Sequence, residues 1–249
     1  MIELDDKYYS LISNIEIYLR QQQELFGDEF YKGDLEILKR KQIQEQITSV
    51  GESVEAEQWQ HLTTLIELQS QIYNCKKCPL GNTRNKFVFG VGNPNADIMF
   101  IGEAPGADED EKGEPFVGRA GQLLNKILEA IEFKREDVFI CNILKCRPPN
   151  NRDPLPSEVD LCIPYLWKQI EIVQPKIIVS LGRIAAQMLL NTTASLTTLR
   201  EKVQNYRGVP MIVTYHPAAL LRNPNWKRPT WEDMKLLRKM YNELQVVNG

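Results

Sequence analysis

Four of the five cysteines have a spacing that suits metal binding. Cys75 and Cys78 form the pair C-K-K-C, and Cys146 and Cys162 follow singly in the second half of the chain. Four thiolates can hold a structural zinc ion or a [4Fe-4S] cluster. A zinc ribbon normally has two C-x-x-C pairs, so the two single cysteines favour the cluster, and unrelated cysteines are the alternative. Cys141, in an apolar run, is interpreted as a small core residue rather than a ligand.

Three polar side chains stand where apolar runs end. Glu103 lies in the motif G-E-A-P-G and could orient a water molecule or stabilise a developing cation, with a solvated loop acid as the alternative. Asn142 interrupts an apolar run, V-F-I-C-N-I-L, close to its carboxyl end and either pins a loop or reads the edge of a planar ligand. His216 precedes a proline and could donate to an oxyanion, act as an acid or simply cap its loop.

An aromatic residue and a set of basic residues share these segments. Phe116 lies in an otherwise polar loop, so it either tucks into the core or offers a face for base stacking. The basic residues suggest phosphate binding, with solvated loop charge as the alternative. They are Lys145, Arg147, Arg152, Arg222, Lys227 and Arg228.

Strands that alternate with helices must position these residues. From residue 96 onward, short apolar runs alternate with helical patterns, which predicts an α/β fold of three layers with a central four-stranded parallel sheet. Ligands of such sheets bind at the carboxyl ends of the strands, so we expect the polar loops to converge on one edge. The predicted strands are 97–102, 137–145, 176–182 and 209–215, and the predicted helices are 121–131, 156–173, 183–190 and 231–244.

The first part of the chain has a different character. Residues 1–68 show apolar residues at helical spacing and no chemical motif, which predicts an N-terminal helical extension that packs on the main domain or on a protein partner. The main domain is expected to span residues 69–249. With 249 residues, 25% of them charged and 43% hydrophobic, the chain can bury a full core.

The overall composition narrows the class of protein. A net charge of −3 decides nothing about nucleic acids, because local patches matter more than the total. No apolar run is long enough to span a membrane, and the acidic N-terminus does not resemble a signal peptide, so we expect a cytoplasmic protein. We also expect a monomer. Gly90-Val91-Gly92 lacks the third glycine of a dinucleotide fingerprint and no phosphate-binding loop motif occurs, which disfavours a nucleotide-dependent enzyme.

Together these motifs resemble the family 4 uracil-DNA glycosylases, the iron-sulfur branch of that superfamily. The resemblance runs from about residue 71 to about residue 241 and rests on long motifs in the same order: C-K-K-C-P-L, GEAPG, EPFVGRAGQLLNKIL, NILKCRPPNNR and YHPAALLRNP. It implies an enzyme that flips uracil out of DNA and hydrolyses its N-glycosidic bond. It also implies a [4Fe-4S] cluster held by Cys75, Cys78, Cys146 and Cys162.

The resemblance implies a role for each site residue. Glu103 would be associated with the attacking water, and His216 would face the leaving base. Phe116 would stack on the flipped uracil, Asn142 would read its edge, and Glu109 would lie near C5 of uracil. The other acids after Glu103 are expected to point away from the DNA or to repel a wrongly placed DNA backbone. The remaining residues assigned to substrate or DNA are Ala104, Arg147, Arg152 and, in the loop after His216, Leu220, Leu221 and Arg222.

Two alternatives compete with this interpretation. A non-catalytic iron-sulfur or zinc protein that binds DNA would share the cysteines and the basic residues but would not excise uracil. A homologue that crosslinks to uracil DNA would carry an inserted basic loop with a reactive histidine after the second predicted strand. The sequence C-R-P-P-N-N-R follows there directly, without a histidine, which disfavours the crosslinking branch.

Overall fold

The computed structural model describes residues 57–248. Most of the predicted helical extension, residues 1–56, lies outside the described residues, and the remainder of it contains a 3-10 turn, Gln58–His61. Among residues 57–248, every helix falls short of the length and apolar character that a membrane crossing needs.

Six strands form one sheet. They are β1 (Val91–Gly92), β2 (Ile98–Gly102), β3 (Phe139–Asn142), β4 (Ile177–Leu181), β5 (Gln204–Tyr206) and β6 (Val209–Thr214), in the order β1-β3-β2-β4-β6-β5. The inner four are parallel, as predicted, and β1 and β5 add antiparallel edges. The prediction of a four-stranded sheet is therefore wrong in this detail, because edge strands of two and three residues are too short to show an alternating pattern.

The helices of the described residues are α1 (Leu65–Ile72), α2 (Leu80–Thr83), α3 (Ala107–Lys112), α4 (Arg119–Ala130), α5 (Pro156–Val173), α6 (Arg183–Leu190), α7 (Leu196–Arg200), α8 (Pro217–Arg222) and α9 (Lys227–Asn248). The four helices predicted after residue 96 are present in the predicted order, and the short helices α2, α3, α7 and α8 are additional to them. Helices α5 and α6 begin and end where the sequence predicts. Helix α9 begins at Lys227 rather than at residue 231, and the acidic segment expected to be a loop contains α3.

Local signals explain where helices α5 and α3 begin. Helix α5 begins with Pro156, and the carboxylate of Glu158 accepts a hydrogen bond of 2.9 Å from the backbone N–H of Leu155. Helix α3 begins in the same way, with the carboxylate of Glu109 accepting from the N–H of Gly106, and ends at Gly113 in the left-handed conformation. Acidic residues in the first turn of α3 are favourable next to the helix dipole.

Each face of the sheet has its own apolar core. Met99 and Ile101 of β2 belong to a cluster with residues of α1, α5 and α6, whereas Ile98 and Phe100 belong to a second cluster with residues of α4 and α9. This alternation follows from the two-residue period of a strand. Helices therefore cover both faces of the sheet, which confirms the predicted three-layer α/β fold.

Candidate active site

The carboxyl ends of the inner strands open into a cleft of about 750 Å³. Parallel strands in an open sheet place their following loops at this edge, so residues far apart in sequence meet here. The cleft wall contains every residue predicted to act on the substrate. These residues are Glu103 and Ala104 after β2, Glu109 of α3, Phe116 before α4, Asn142 at the end of β3 and His216 after β6.

Gly102 allows Asn142 and Phe116 to approach each other. Gly102 lies opposite Asn142 in the ladder between β2 and β3. A Cβ atom at Gly102 would overlap Oδ1 of Asn142 and would come within 2.7 Å of Cζ of Phe116. The two side chains therefore converge over a position that has no side chain of its own.

Phe116 takes a backbone conformation that is rare for a bulky residue. Its φ of 53° is in the left-handed region, and its ring is buried and tilted against the His216 ring, with centroids 5.4 Å apart. The backbone of Phe116 packs directly on Gly121 in α4, where any Cβ atom would collide with the Phe116 carbonyl. The strained turn thus holds the aromatic ring at the wall of the cleft.

Asn142 is buried and keeps one acceptor free. Its side-chain oxygen Oδ1 has no hydrogen-bond partner among the described residues. Its backbone carbonyl accepts a hydrogen bond of 2.7 Å from Nζ of Lys145. A buried acceptor without a partner is unfavourable in a folded protein, and a donor on a ligand in the cleft would satisfy it.

His216 is held as a neutral imidazole. Its Nδ1 accepts a hydrogen bond of 3.1 Å from the backbone N–H of Ala218 at the start of α8, so in the neutral ring Nε2 carries the hydrogen. Burial lowers the pKa of His216 to about 4, and the positive charge of Arg222 acts in the same direction. The ring is therefore fixed as a hydrogen-bond donor at neutral pH.

The pKa of Glu103 is raised, whereas that of His216 is lowered. Burial and, to a lesser extent, the Asp153 carboxylate raise the pKa of the Glu103 carboxyl to about 7, with Arg183 partly offsetting them. A carboxyl group with a pKa near neutrality can change its protonation state during a reaction. The site thus combines a carboxyl group that titrates near pH 7 with a histidine that is neutral there.

The acidic residues after Glu103 do not all face solvent. Glu109 accepts hydrogen bonds from the backbone N–H groups of Val117 and Gly118 (2.9 and 3.1 Å), which fixes the loop that carries Phe116. Asp110 is buried and accepts from the backbone and side-chain N–H groups of Asn85, each at 2.9 Å. The expectation that these acids point outward is therefore wrong for Asp110, because its partners come from a segment distant in sequence.

The predicted DNA-binding residues fall into different environments. Arg152 and Arg222 line the cleft, and Arg152 also makes a two-pronged ion pair with Glu158 of α5. Arg147 is partly exposed and donates to Asn151. After His216, Leu221 is 41% exposed, whereas Leu220 is only 1% exposed and belongs to the core. Leu220 is therefore unable to enter a DNA duplex.

Lys145 does not belong to the basic rim at all. It is fully buried, at 0% exposure, and its Nζ donates to the Asn142 carbonyl and to Oε1 of Gln169 at 2.6 Å. Burial lowers the pKa of its ammonium. The interpretation of Lys145 as a phosphate ligand is wrong, since the side chain turns into the protein to satisfy backbone and amide oxygens.

The cysteines assigned to the cluster are free thiols in one neighbourhood. Cys146 and Cys162 belong to an apolar cluster, and Cys75 and Cys78 pack against it. Burial raises the pKa of Cys146 to about 11 and that of Cys162 to about 12, and the nearby Cys78 contributes to both. Cys141 is also fully buried, which confirms its interpretation as a core residue.

Hydrogen-bond donors surround these thiols. In residues 57–248, no three His, Cys, Asp or Glu side chains stand close enough to bind one metal ion. A [4Fe-4S] cluster needs a wider arrangement, since each of its cysteines binds a different iron. Donors near sulfur stabilise thiolate charge and tune such centres. These donors are Arg84 Nη1 to Cys146 Sγ (3.2 Å), Lys145 N to Cys162 Sγ (3.4 Å) and Tyr165 Oη to Cys75 Sγ (3.3 Å).

Several cleft residues escaped the sequence analysis. Arg183 follows β4 after a single glycine, a strand-end position that could have marked it. Tyr215 begins the motif YHPAALLRNP but received no role, and Asp153 and Trp226 lie outside the motifs. The cleft includes all three because the loops after β3 and β6 fold over it. Arg84 gave no signal either, because its partners are a backbone carbonyl and a cysteine sulfur.

Comparison with known proteins agrees with the motifs. Residues 89–241 match the model of the Uracil DNA glycosylase superfamily. The type-4 uracil-DNA glycosylase of Archaeoglobus fulgidus is 44% identical over 192 residues, which covers 74% of this chain and 96% of the relative. That of Sulfurisphaera tokodaii is 45% identical over 188 residues, or 72% and 86% of the two chains. That of Thermotoga maritima is 44% identical over 162 residues, or 64% and 84%.

The matched region contains the sheet, the cleft and the cysteines that follow β3. The match to the Archaeoglobus fulgidus protein is high in identity and covers nearly all of that relative. The chain therefore belongs to the uracil-DNA glycosylase superfamily and, within it, to the type-4 enzymes.

Proposed function

We propose that the protein is a DNA repair enzyme that removes uracil from DNA by hydrolysing the N-glycosidic bond and leaves an abasic site. The observation that carries the proposal is the meeting of Glu103, Asn142 and His216 in one cleft beside the Phe116 ring. A base inside a duplex is out of reach, so the nucleotide must rotate into this cleft before reaction. Type-4 relatives at about 44% identity support the same activity.

Recognition of uracil would use the free acceptor of Asn142. Oδ1 would accept from N3–H of uracil, and the amide nitrogen would donate to O4. Cytosine reverses this pattern and would leave buried groups unpaired, a mismatch worth roughly 10⁴-fold or more. Phe116 would stack on the base, and Glu109, fixed by backbone N–H groups, would restrict the space near C5 and disfavour the methyl group of thymine.

Bond cleavage would use the two tuned groups on opposite sides of the base. As the bond between C1′ and N1 breaks, the sugar gains positive charge and uracil leaves as an anion. The Glu103 carboxylate would stabilise the cation and orient the water whose oxygen bonds to C1′. The Nε2–H of neutral His216 would donate to the uracil anion. The proton released by the water passes to the carboxylate or to solvent.

We further propose that Cys75, Cys78, Cys146 and Cys162 hold a [4Fe-4S] cluster. Four free thiols, each packed in or against one core cluster, and donors directed at three of the sulfurs support this assignment. A bound cluster would supply a covalent link between the segment before β1 and the loop after β3. That loop carries Arg147 and Arg152, so the link would fix two basic residues near the cleft.

One preparation tests both proposals. The protein is purified anaerobically, its iron and sulfide are measured, and it is incubated with oligonucleotides that differ only in one uracil, cytosine or thymine. Alkali-labile breaks at uracil alone, from a brown protein with four irons per chain, are the expected result. Binding without breaks would contradict the enzymatic proposal, and a colourless protein that still excises uracil would contradict the cluster.

A further inference from the structure

Two aromatic rings lie in parallel at the edge of the cleft. The rings of Tyr215 and Trp226 are stacked with centroids 4.9 Å apart and an interplanar angle of 13°. Tyr215 directly precedes His216, and both aromatic residues line the cleft. Trp226 is also 36% exposed. Its indole N–H makes no hydrogen bond among residues 57–248. The uracil pocket around Phe116 does not use this second aromatic surface.

Tyr215 provides a rigid base for the indole. The guanidinium of Arg200 lies 4.6 Å from the Tyr215 ring centroid, and since Trp226 covers one face, Arg200 occupies the other. Arg200 is fixed by a paired interaction with Asp233, whose carboxylate also accepts from the hydroxyl of Thr214 at 2.6 Å. These contacts are largely buried, so Arg200 holds the Tyr215 ring in place on the face opposite Trp226.

The backbone of Trp226 is fixed as well. Its N–H donates to the Asn223 carbonyl at 3.2 Å, and its own carbonyl accepts from the Thr230 hydroxyl at 2.8 Å. Pro224 begins the short 3-10 turn that ends at Trp226. The indole is therefore held with one face on Tyr215 and with its remaining surface open to the cleft and to solvent.

Positive charge flanks this surface on both sides in sequence. Arg222 precedes the turn and lines the cleft, and Lys227 and Arg228 follow Trp226 at the start of α9. All three are exposed, and within residues 57–248 none of their side chains makes an ion pair or a hydrogen bond. An exposed aromatic face between free cations is the combination that single-stranded nucleic-acid sites use, with bases stacked on the ring and phosphates near the cations.

We propose that Trp226 is a stacking site for an unpaired base next to the flipped uracil. In a duplex a flanking base stays paired with the opposite strand, and rotation of the uracil uncovers only the face that borders the gap inside the helix. The indole at the edge of the cleft can therefore stack only on a base that has left the helix. Single-stranded DNA offers such a base without the unpairing that a duplex requires. Trp226 therefore gives the enzyme a binding advantage on single-stranded uracil DNA. This inference rests on the proposed function and extends it to the choice of DNA strand form.

The test compares three variants on one uracil oligonucleotide, single-stranded or annealed to its complement. Trp226→Ala should raise KM for the single strand by about 5- to 100-fold and change KM for the duplex by less than about threefold. Trp226→Phe keeps an aromatic face and should recover most of the loss. Trp231→Ala is the matched control, because Trp231 is 42% exposed on α9 but does not line the cleft; its KM values should equal those of the wild type.

Other outcomes would overturn the inference. Equal losses on both strand forms, or no loss on either, would remove the stacking site. A fall in kcat with KM unchanged would assign Trp226 to the support of Tyr215 instead. Failure of the proposed function is distinguishable, since wild-type protein would then release no uracil. In that case the affinity of Trp226→Ala for the single-stranded oligonucleotide, measured by fluorescence anisotropy, still decides whether the base stacks there.

Discussion

The ammonium group of Lys145 lies 2.7 Å from the backbone carbonyl oxygen of Asn142 and donates to it. The same ammonium donates to Gln169 in α5, and the backbone N–H of Lys145 is directed at the sulfur of Cys162. One buried residue thus connects the end of β3, where uracil would be read, with the helix that carries a proposed cluster ligand. Its neighbour in sequence, Cys146, is another proposed ligand.

We expect Lys145→Met to destabilise the protein by about 1–3 kcal/mol, because two buried oxygens lose their donor. The urea midpoint of unfolding measures the effect. Lys168→Met is the matched control: Lys168 is also buried, but it pairs with Glu171, which is exposed and can be hydrated instead. Similar losses for the two variants would contradict a specific role for the bonds of Lys145.

Glu103 should give the excision rate its pH dependence. In the proposed mechanism the Glu103 carboxylate is the active form. Burial raises its pKa to about 7, so the single-turnover rate should rise with pH below 7 and level off above it. Glu103→Gln should lose about 10²- to 10³-fold in rate and the pH dependence with it, while its affinity for uracil DNA changes little. The titration of Glu103 should fall within the range from about pH 5.5 to about pH 8.5. A wild-type rate that is constant over this range would reject the assignment.

The same shift predicts a stability effect of opposite sense. The folded state holds the Glu103 proton more tightly than the unfolded state, so ionisation opposes folding: the penalty is absent below the ordinary pKa of 4.5 and grows as pH rises towards about 7. Glu103→Gln should therefore be more stable than the wild type at pH 8 and similar to it at acid pH. Thermal melts at the two pH values measure the difference, and a less stable variant at pH 8 would contradict it.

His216→Asn separates two roles of the histidine. An asparagine oxygen can still accept from the Ala218 N–H and cap α8, but it provides no donor at the position of Nε2–H. We expect a rate about 10²- to 10³-fold lower with little loss of stability. Because the pKa of His216 is lowered to about 4, the variant should keep the wild-type pH profile. Loss of that profile would mean that the histidine titrates during catalysis.

Gly102→Ala should disturb recognition more than folding. The new methyl group would meet Oδ1 of Asn142 and the edge of the Phe116 ring, so both side chains must move and excision should fall by at least about 10²-fold. Gly208→Ala is the control: Gly208 has a positive φ, unlike Gly102, and has open space around it, so this change should cost roughly 1 kcal/mol of stability and leave excision intact. Normal uracil release by Gly102→Ala would contradict the proposed pocket.

The cysteines should divide into ligands and a core residue. Cys162→Ala and Cys146→Ala are expected to lose iron and visible absorbance, whereas Cys141→Ala should retain both. All three positions are buried, so cavity effects on stability are comparable and iron content is the readout that distinguishes them. Full iron in Cys162→Ala would exclude that residue as a ligand.

The extent to which the sequence predicts this molecule differs between its parts. The inner strands and helices α5 and α6 were predictable, because buried strands form continuous apolar runs and these helices have clear start signals. Helix α3 was not, since six residues rich in acids resemble a polar loop. The edge strands were not predictable either, because a segment such as QNY of β5 shows no alternation of apolar and polar residues.

The candidate site shows the same division. Glu103, Asn142 and His216 were identifiable, because strand ends in an α/β sheet meet at one edge whatever the loops do. Lys145 was misassigned, since nothing in a sequence distinguishes a lysine that donates to buried oxygens from one that faces solvent. The roles of Asp110 and Trp226 depend on partners in other segments, Asn85 and Tyr215, and such pairings appear only in three dimensions.

The short edge strands also bear on how the molecule resists aggregation and opening. With only two and three residues, β1 and β5 offer few free backbone groups to which a strand of another molecule could add. Opening of the sheet should therefore begin at these borders, and amide protons there should exchange with solvent long before those of β2 and β4. The edge strands should therefore open briefly while the inner strands, whose carboxyl ends form the cleft, stay paired.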